Sequence, residues 1–413
     1  MMPRVFRAAG RGCLVASASL LVLAGTGCVS TGTGGMSAAR SVAGASSQPV
    51  VLTPEQQAML ARWRQREVEL IEAPLSADAA AEIALLHHPA VDRALETLGI
   101  ADVDRLRVAH TINPDFNGGR APTTTETRIE RPMSVNLMTW LAVPAFAPRI
   151  SMQDRTARVQ AADEIAALLF AARRAWVSAV AARQSVRYFE DVVAAVEASG
   201  QIMASMRSVG NSSELELLRA QTLHADAVAH LTAVQVAAAL ERERLIQTLG
   251  LWGPDAERVR LPDRLPDLPR TPVGPEGLEA RAVAQRFDVE SGRLQGLPGE
   301  AGIKARGEVR AAWLAYRGAF DLARHAHDAL VPLAERVSAE QLKLYNGMLV
   351  GVLDLVADVT ERINAVNAAL DAERDFWLAE LELQRSMAGV GLPAAAALPG
   401  ASGFRPGAAY HVH

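Results

Sequence analysis

Arg174-Ala175-Trp176-Val177 is echoed by Ala311-Ala312-Trp313-Leu314, and a turn at Gly210 by a turn at Gly347; both pairs lie 137 residues apart. Each turn opens a new apolar run, Glu214-Leu215-Glu216-Leu217-Leu218 in the first half and Val352-Leu353-Asp354-Leu355-Val356 in the second, with one residue of slippage. The element before the long segment recurs too, as Ala84-Leu85-Leu86-His87-His88-Pro89-Ala90-Val91 and Val283-Ala284-Gln285-Arg286-Phe287-Asp288-Val289. Alanine-rich helices look alike by composition alone. A matched distance from tryptophan to turn does not follow from composition, so the chain reads as an internal duplication.

Around the first tryptophan, Ile165, Leu168, Leu169, Ala172, Trp176, Ala179 and Val180 follow the i, i+3, i+4, i+7 spacing of a helix face. The flanking faces carry Ala171, Ala175, Ala181 and Ala182, which let neighbouring helices approach from both sides. Thr53-Pro54-Glu55-Gln56 supplies an N-cap, a proline at the first helical position and a capping-box partner. The pattern predicts helices over 54–71, 76–110, 150–208, 213–250, 277–294, 303–345 and 350–388, two of them far beyond the usual length of roughly a dozen residues. One stretch reads otherwise. Val135, Leu137, Thr139, Leu141 and Val143 alternate with Asn136, Met138, Trp140 and Ala142 over about one membrane strand, with Thr123 to Arg131 as its partner.

The amino terminus reads as an export signal. Arg4, Arg7 and Arg11 precede an apolar run from Leu14 to Ala24, too short for a permanent span, and Gly27-Cys28 forms a small-residue junction with cysteine. The arrangement resembles a bacterial lipobox, with Gly25 where leucine is commoner, and implies lipidation of Cys28 once 1–27 are removed. Val29 in place of aspartate implies sorting to the outer membrane. Removing three arginines from 42 basic side chains leaves 39 against 46 acidic ones, a net charge of −7. That balance argues against nucleic-acid binding, which needs a basic patch. Cys13 leaves with the signal, so no internal disulfide is expected.

The predicted fold class is therefore mainly α: internally duplicated long antiparallel helical hairpins, of α-barrel or coiled-coil type, with one β-hairpin toward the outer membrane. The organisation runs as signal peptide 1–27, flexible tether 28–52, first repeat 53–253 with the β-hairpin at about 113–149, Pro-rich connector 254–276, second repeat 277–389 and flexible tail 390–413.

Several pieces together resemble the TolC-like outer-membrane efflux factors: His88-Pro89-Ala90-Val91, Asn113-Pro114, Ser208-Val209-Gly210-Asn211, Thr248-Leu249-Gly250-Leu251-Trp252-Gly253 and Leu265-Pro266-Asp267-Leu268-Pro269. Tyr345-Asn346-Gly347-Met348-Leu349-Val350-Gly351-Val352 is similar to the branch associated with copper and other heavy metals. The resemblance implies trimers whose shared β-barrel, with four strands from each protomer, continues as a periplasmic helical tunnel. It also implies that the hairpin tips receive a periplasmic adaptor protein linked to an inner-membrane pump. Carried over residue by residue, that docking falls on Gly210, Asn211, Ser212, Ser213, Asn346, Gly347, Met348 and Gly351, with Leu349 and Val350 as further apolar grips.

One departure matters. Between Leu294 and Ile303 the second half has only Gln295 to Gly302, too short for two strands of roughly ten residues each. The long helix of that half is expected to be about fifteen residues shorter than its counterpart, roughly 22 Å. A protomer with two strands gives a trimer about six, below the roughly eight of the smallest membrane barrels.

No catalytic set is legible, and neither a cofactor nor a metal site is assigned. His87 with His88, His325 with His327, and His224 with His230 do not share helix faces. Tyr410-His411-Val412-His413 reads as a frayed tail. The expected function is that of a non-enzymatic outer-membrane channel component of a tripartite efflux system, passively exporting metal ions or small molecules. It is expected as a homotrimer or mixed trimer, lipid-anchored with its helical body in the periplasm. The alternative is a lipid-anchored periplasmic coiled-coil scaffold derived from such a channel.

Overall fold

The computed structural model describes residues 65–66, 69–71, 73–97 and 152–390. Cys28 with the signal and tether, the β-hairpin expected at about 113–149 and the tail beyond Val390 lie outside the described residues. Two short helices, α1 (Ala77–His87) and α2 (Pro89–Thr97), precede the 57-residue α3 (Met152–Ser208). At 1.5 Å per residue, α3 is about 86 Å long. The chain returns as α4 (Glu214–Leu249) and enters the connector through α5 (Pro254–Arg258). The second half repeats the plan with α6 (Leu278–Gln285), α7 (Phe287–Leu294), α8 (Pro298–His325), a π turn (Ala326–Leu330), α9 (Val331–Asn346) and α10 (Val352–Ala388). The architecture is mainly α, built on long helical hairpins, with no strand among the described residues.

The duplication is visible atom by atom. Trp176 donates its indole N–H to the carbonyl of Leu75 at 2.6 Å, and Trp313 donates to the carbonyl of Val273 at 3.0 Å. Each tryptophan thus ties its long helix to the segment just ahead of the short helix pair of its own half. Leu75 and Val273 are 198 positions apart, as are the breaks between short helices at His88 and Arg286. Both break residues are extended, at φ −78°, ψ 127° and φ −70°, ψ 137°.

The two breaks have different causes. His88 precedes Pro89, whose ring forbids helical backbone at the residue before it and is itself suited to a first helical position. The His88 ring then caps α2, its Nδ1 accepting from the Ala90 N–H at 3.2 Å. Arg286 has no proline behind it. Its buried guanidinium instead donates to Asp288 at 2.8 and 2.6 Å, to Glu308 and to the Ser386 carbonyl at 2.8 Å, joining α7, α8 and α10 at one point.

Three expectations are corrected in detail. The helix read over 76–110 breaks at His88, and that over 277–294 breaks at Arg286. The helix read from Ile303 begins at Pro298, because a proline at the first helical turn outweighs the two glycines that follow it. From Pro298 to Asn346 the outgoing arm therefore has 49 residues against the 57 of α3, a shortfall of eight or about 12 Å, not fifteen. Within that arm the π turn precedes Pro332, whose ring would clash with the Asp328 carbonyl in a regular α-helix.

The missing block stands out against this symmetry. From His88 to Trp176 the first half spends 88 residues, whereas from Arg286 to Trp313 the second spends 27, a difference of 61. Only Gln295, Gly296 and Leu297 lie between α7 and α8.

The principal apolar core lies where the two halves meet. Ala162, Ala166, Ala172 and Ala179 are buried beside Ile165, Trp176 and Val180 of α3, and Tyr316, Phe320, Phe376 and Trp377 complete it from α8 and α10. Gln184 stitches the connector into the bundle. Its Oε1 accepts from the Leu265 N–H at 3.1 Å and its Nε2 donates to Glu373 of α10 at 3.1 Å, so the backbone donor fixes which way the amide points.

Candidate functional site

The α3–α4 turn is closed by a Schellman motif. Gly210 takes φ +79°, its N–H donating to the Arg207 carbonyl at 3.1 Å, and the Asn211 N–H reaches the Met206 carbonyl at 2.8 Å. Ser213 then caps α4 in a reciprocal capping box with Glu216. Its hydrogen bonds hold the Glu216 carboxyl below the usual glutamate value. Asn211 is exposed, while Ser212 is buried, its hydroxyl donating to the Met203 carbonyl at 3.4 Å.

The α9–α10 turn repeats the motif with one change of residue. The Met348 N–H donates to the Tyr345 carbonyl and the Leu349 N–H to the Leu344 carbonyl, both at 2.9 Å. The left-handed residue is therefore Met348, at φ +58°, and not Gly347, which caps α9 at φ −80°. The turn read at Gly347 from the sequence thus has its left-handed residue one position further on. Left-handed backbone costs a side-chain-bearing residue about 1–2 kcal/mol, yet this one projects a thioether that is 94% exposed. Gly351 opens α10 from an extended conformation, its N–H donating to Asp354 Oδ2 at 2.9 Å as the Ser213 N–H donates to Glu216 Oε2 at 2.7 Å, and Ser213 adds a hydroxyl that accepts from the Glu216 N–H. Met348 lies 138 residues after Gly210, and Gly351 138 after Ser213, which is the one-residue slippage expressed in structure.

The two hairpins run side by side and turn at the same end. α10 packs along α3, where Ile363 joins the cluster of Phe189, Val192, Val196 and Ala227 between the arms of the first hairpin. Asn211 and Asn346 of the sequence-predicted set thus belong to neighbouring tips, with Val209, Met348 and Leu349 adding exposed apolar surface. Among the described residues no group of three His, Cys, Asp or Glu side chains is placed to hold a metal ion.

Sequence reading missed the packing at the opposite ends of the return helices. Gly250 (φ +73°) ends α4 and Gly389 (φ +69°) ends α10. A Cβ on Gly250 would stand 2.8 Å from the His88 Cα, and one on Gly389 2.7 Å from the Arg286 Cβ. Each glycine presses on the break residue of its own half, a relation that the 198-residue offset of the breaks makes traceable in the sequence.

No protein-family model matches this chain, and no curated protein does. Among solved structures, the Campylobacter jejuni CmeC outer membrane channel is similar over 76% of this chain and 85% of its own, at 11% identity and a TM-score of 0.55. The open state of the Neisseria gonorrhoeae MtrE outer membrane channel is similar over 76% and 89%, at 11% identity and a TM-score of 0.52. At these identities the likeness is one of fold: the chain has the long-hairpin architecture seen in those two outer membrane channels.

Proposed function

We propose that this protein is a passive, non-enzymatic outer-membrane channel component of a tripartite efflux system, anchored by a lipidated Cys28 with its helical body in the periplasm. The observation that carries the reading is the pair of long hairpins that turn at one end in exposed tips, in a fold shared with outer membrane channels. In this reading Gly210, Asn211, Ser212, Ser213, Asn346, Gly347, Met348 and Gly351 form the face that meets a periplasmic adaptor protein and, through it, an inner-membrane pump. The pump supplies the energy; this chain supplies wall, electrostatics and gating by shifts of packed helices. Metal ions or small molecules are the cargo, in keeping with the sequence likeness of the second tip to the heavy-metal branch.

Assembly as a homotrimer or mixed trimer is supported by α4. Its Leu215, Leu218, Val236 and Leu240 are exposed, and its most apolar window is only 6% buried. A neighbouring protomer covers that face in this account, since contiguous apolar surface is rare on a soluble monomer.

The 61-residue deficit favours a second reading, a lipid-anchored periplasmic scaffold that keeps the tips and does not conduct. Cysteine crosslinking tests the feature that both readings share. Single cysteines at Asn211 and Asn346 are expected to capture a periplasmic adaptor, and equal capture from Ala229 on the shaft of α4 would remove the special standing of the tips.

A further inference from the structure

An open cavity of about 510 Å³ lies beside the corner between α7 and α8, bounded on its far side by α3. This is the corner at which the second half is 61 residues shorter than the first. Val159, Leu297 and Ala301 give the cavity apolar lining, and Leu297 is 57% exposed. Its charged lining is Asp163, Asp288, Glu300 and Glu308 against Arg286 and Lys304, four carboxylates to two cations, so it carries a net negative charge.

Gly389 lines the same cavity, which puts the end of α10 at its edge. Val390, the next residue, is 1% exposed, and its carbonyl accepts from the Arg385 guanidinium, which fixes where the chain leaves the bundle. Residues 391–413, which lie outside the described residues, therefore begin beside the cavity.

The first half shows what a segment in this position does. Past Gly250 the chain buries Leu251, Val259 and Leu265, at one, nine and fifteen residues, in the principal core. Past Gly389 the same three steps meet Val390, Leu398 and Phe404, all apolar. Pro254 and Pro393 each stand four residues after their glycine. Between Gly391 and His413 the one Lys, Arg, Asp or Glu is Arg405, a cation next to Phe404, which complements the acidic lining. The fourteen residues from Val390 to Phe404 span up to about 46 Å when extended, so reach is no constraint.

We propose that residues 391–413 dock in the cavity of their own chain, with Phe404 on its apolar lining and Arg405 on its carboxylates. The tail is then the second half's counterpart of the connector. It covers Leu297 and closes the corner that the shorter barrel-side sequence leaves open.

The test uses the full-length protein in detergent, with cysteines introduced in pairs and disulfides mapped by mass spectrometry after mild oxidation. Phe404→Cys is paired with Gln295→Cys at the cavity, or with Arg317→Cys on an exposed part of α8 about 20 Å beyond Lys304. The tether reaches both positions, so an undocked tail links to them at similar rates. Expected is an intrachain disulfide with Gln295→Cys that forms at least about tenfold faster than with Arg317→Cys. Adding Arg405→Glu, which reverses the charge of the tail and alters none of the described residues, slows the Gln295 pair at least about twofold. Equal rates for the two pairs, disulfides that join two chains instead of one, or a rate that Arg405→Glu leaves unchanged would overturn the proposal.

Discussion

The α-carbon of Gly250 rests against the backbone of His88: a methyl group added there would meet the His88 Cα at 2.8 Å and the His87 carbonyl at 2.9 Å. This contact locks the end of the first return helix onto the break between α1 and α2. Gly250→Ala is expected to lose roughly 3 kcal/mol, combining about 1–2 for left-handed backbone with about 1–3 for overpacking against atoms that cannot swing away. Gly210→Ala meets nothing within 4 Å and is expected to lose only the first part, about 1–2 kcal/mol. Chemical denaturation of the two variants side by side measures the difference. Equal losses would mean that the Gly250 contact is slack.

Met348 carries backbone strain on a fully presented side chain. Met348→Gly relieves about 1–2 kcal/mol of left-handed strain and returns about 0.4–1 through the freer unfolded chain. A small net gain in thermal stability is therefore expected. If the tip meets a partner through its apolar surface, the same variant binds that partner more weakly while melting higher. A variant that gains stability and keeps full binding would show that Met348 is no part of the contact.

His88 gives the first half a pH dependence. Burial, with Arg93 adding repulsion, holds its imidazole below the ordinary value of 6.5, and the neutral ring is the form whose Nδ1 accepts from the Ala90 N–H. A depressed folded value means that the unfolded chain binds the proton first. The contribution is full above 6.5 and is lost as pH falls through the lower folded value. His88→Asn keeps a cap without a titrating ring, so urea midpoints at about pH 7.5 and about pH 5 should differ less in the variant than in the wild type. An unchanged difference would place the pH dependence elsewhere.

Cys28→Ser is expected to release the protein from the membrane fraction, because several acyl chains hold far more firmly than the rest of this chain can. Labelled palmitate reports the modification directly. A wild type that incorporates no label contradicts the lipid anchor.

Much of the fold was legible because the chain states it twice. The Trp176-to-Gly210 and Trp313-to-Gly347 spacings marked both hairpins, whereas Pro89, which opens a helix of its own, lay inside the single helix read over 76–110. What was not legible depends on partners distant in sequence. Arg286 breaks a helix through Asp288, Glu308 and the Ser386 carbonyl, so no local signal announces it. Pro298 and the turn before Pro332 were misjudged because a proline stops a helix or starts one according to its register. At the tips, the motif was visible but its left-handed residue was not: glycine is the natural choice for positive φ, and here the chain gives that place to Met348.

On the proposed reading, this chain pairs the long-hairpin fold seen in outer membrane channels with two barrel strands per protomer in place of four. A trimer on that reading would own about six strands, and an open sheet edge in lipid leaves backbone groups unpaired at several kcal/mol each. Single-channel recording in a planar bilayer tests this most directly, using the purified chain and a version with a two-strand hairpin grafted between Leu294 and Pro298. The account predicts a silent bilayer with the unmodified chain, although circular dichroism reports a strongly helical protein, and stable openings with the graft. Reproducible large pores from the unmodified chain alone would contradict it.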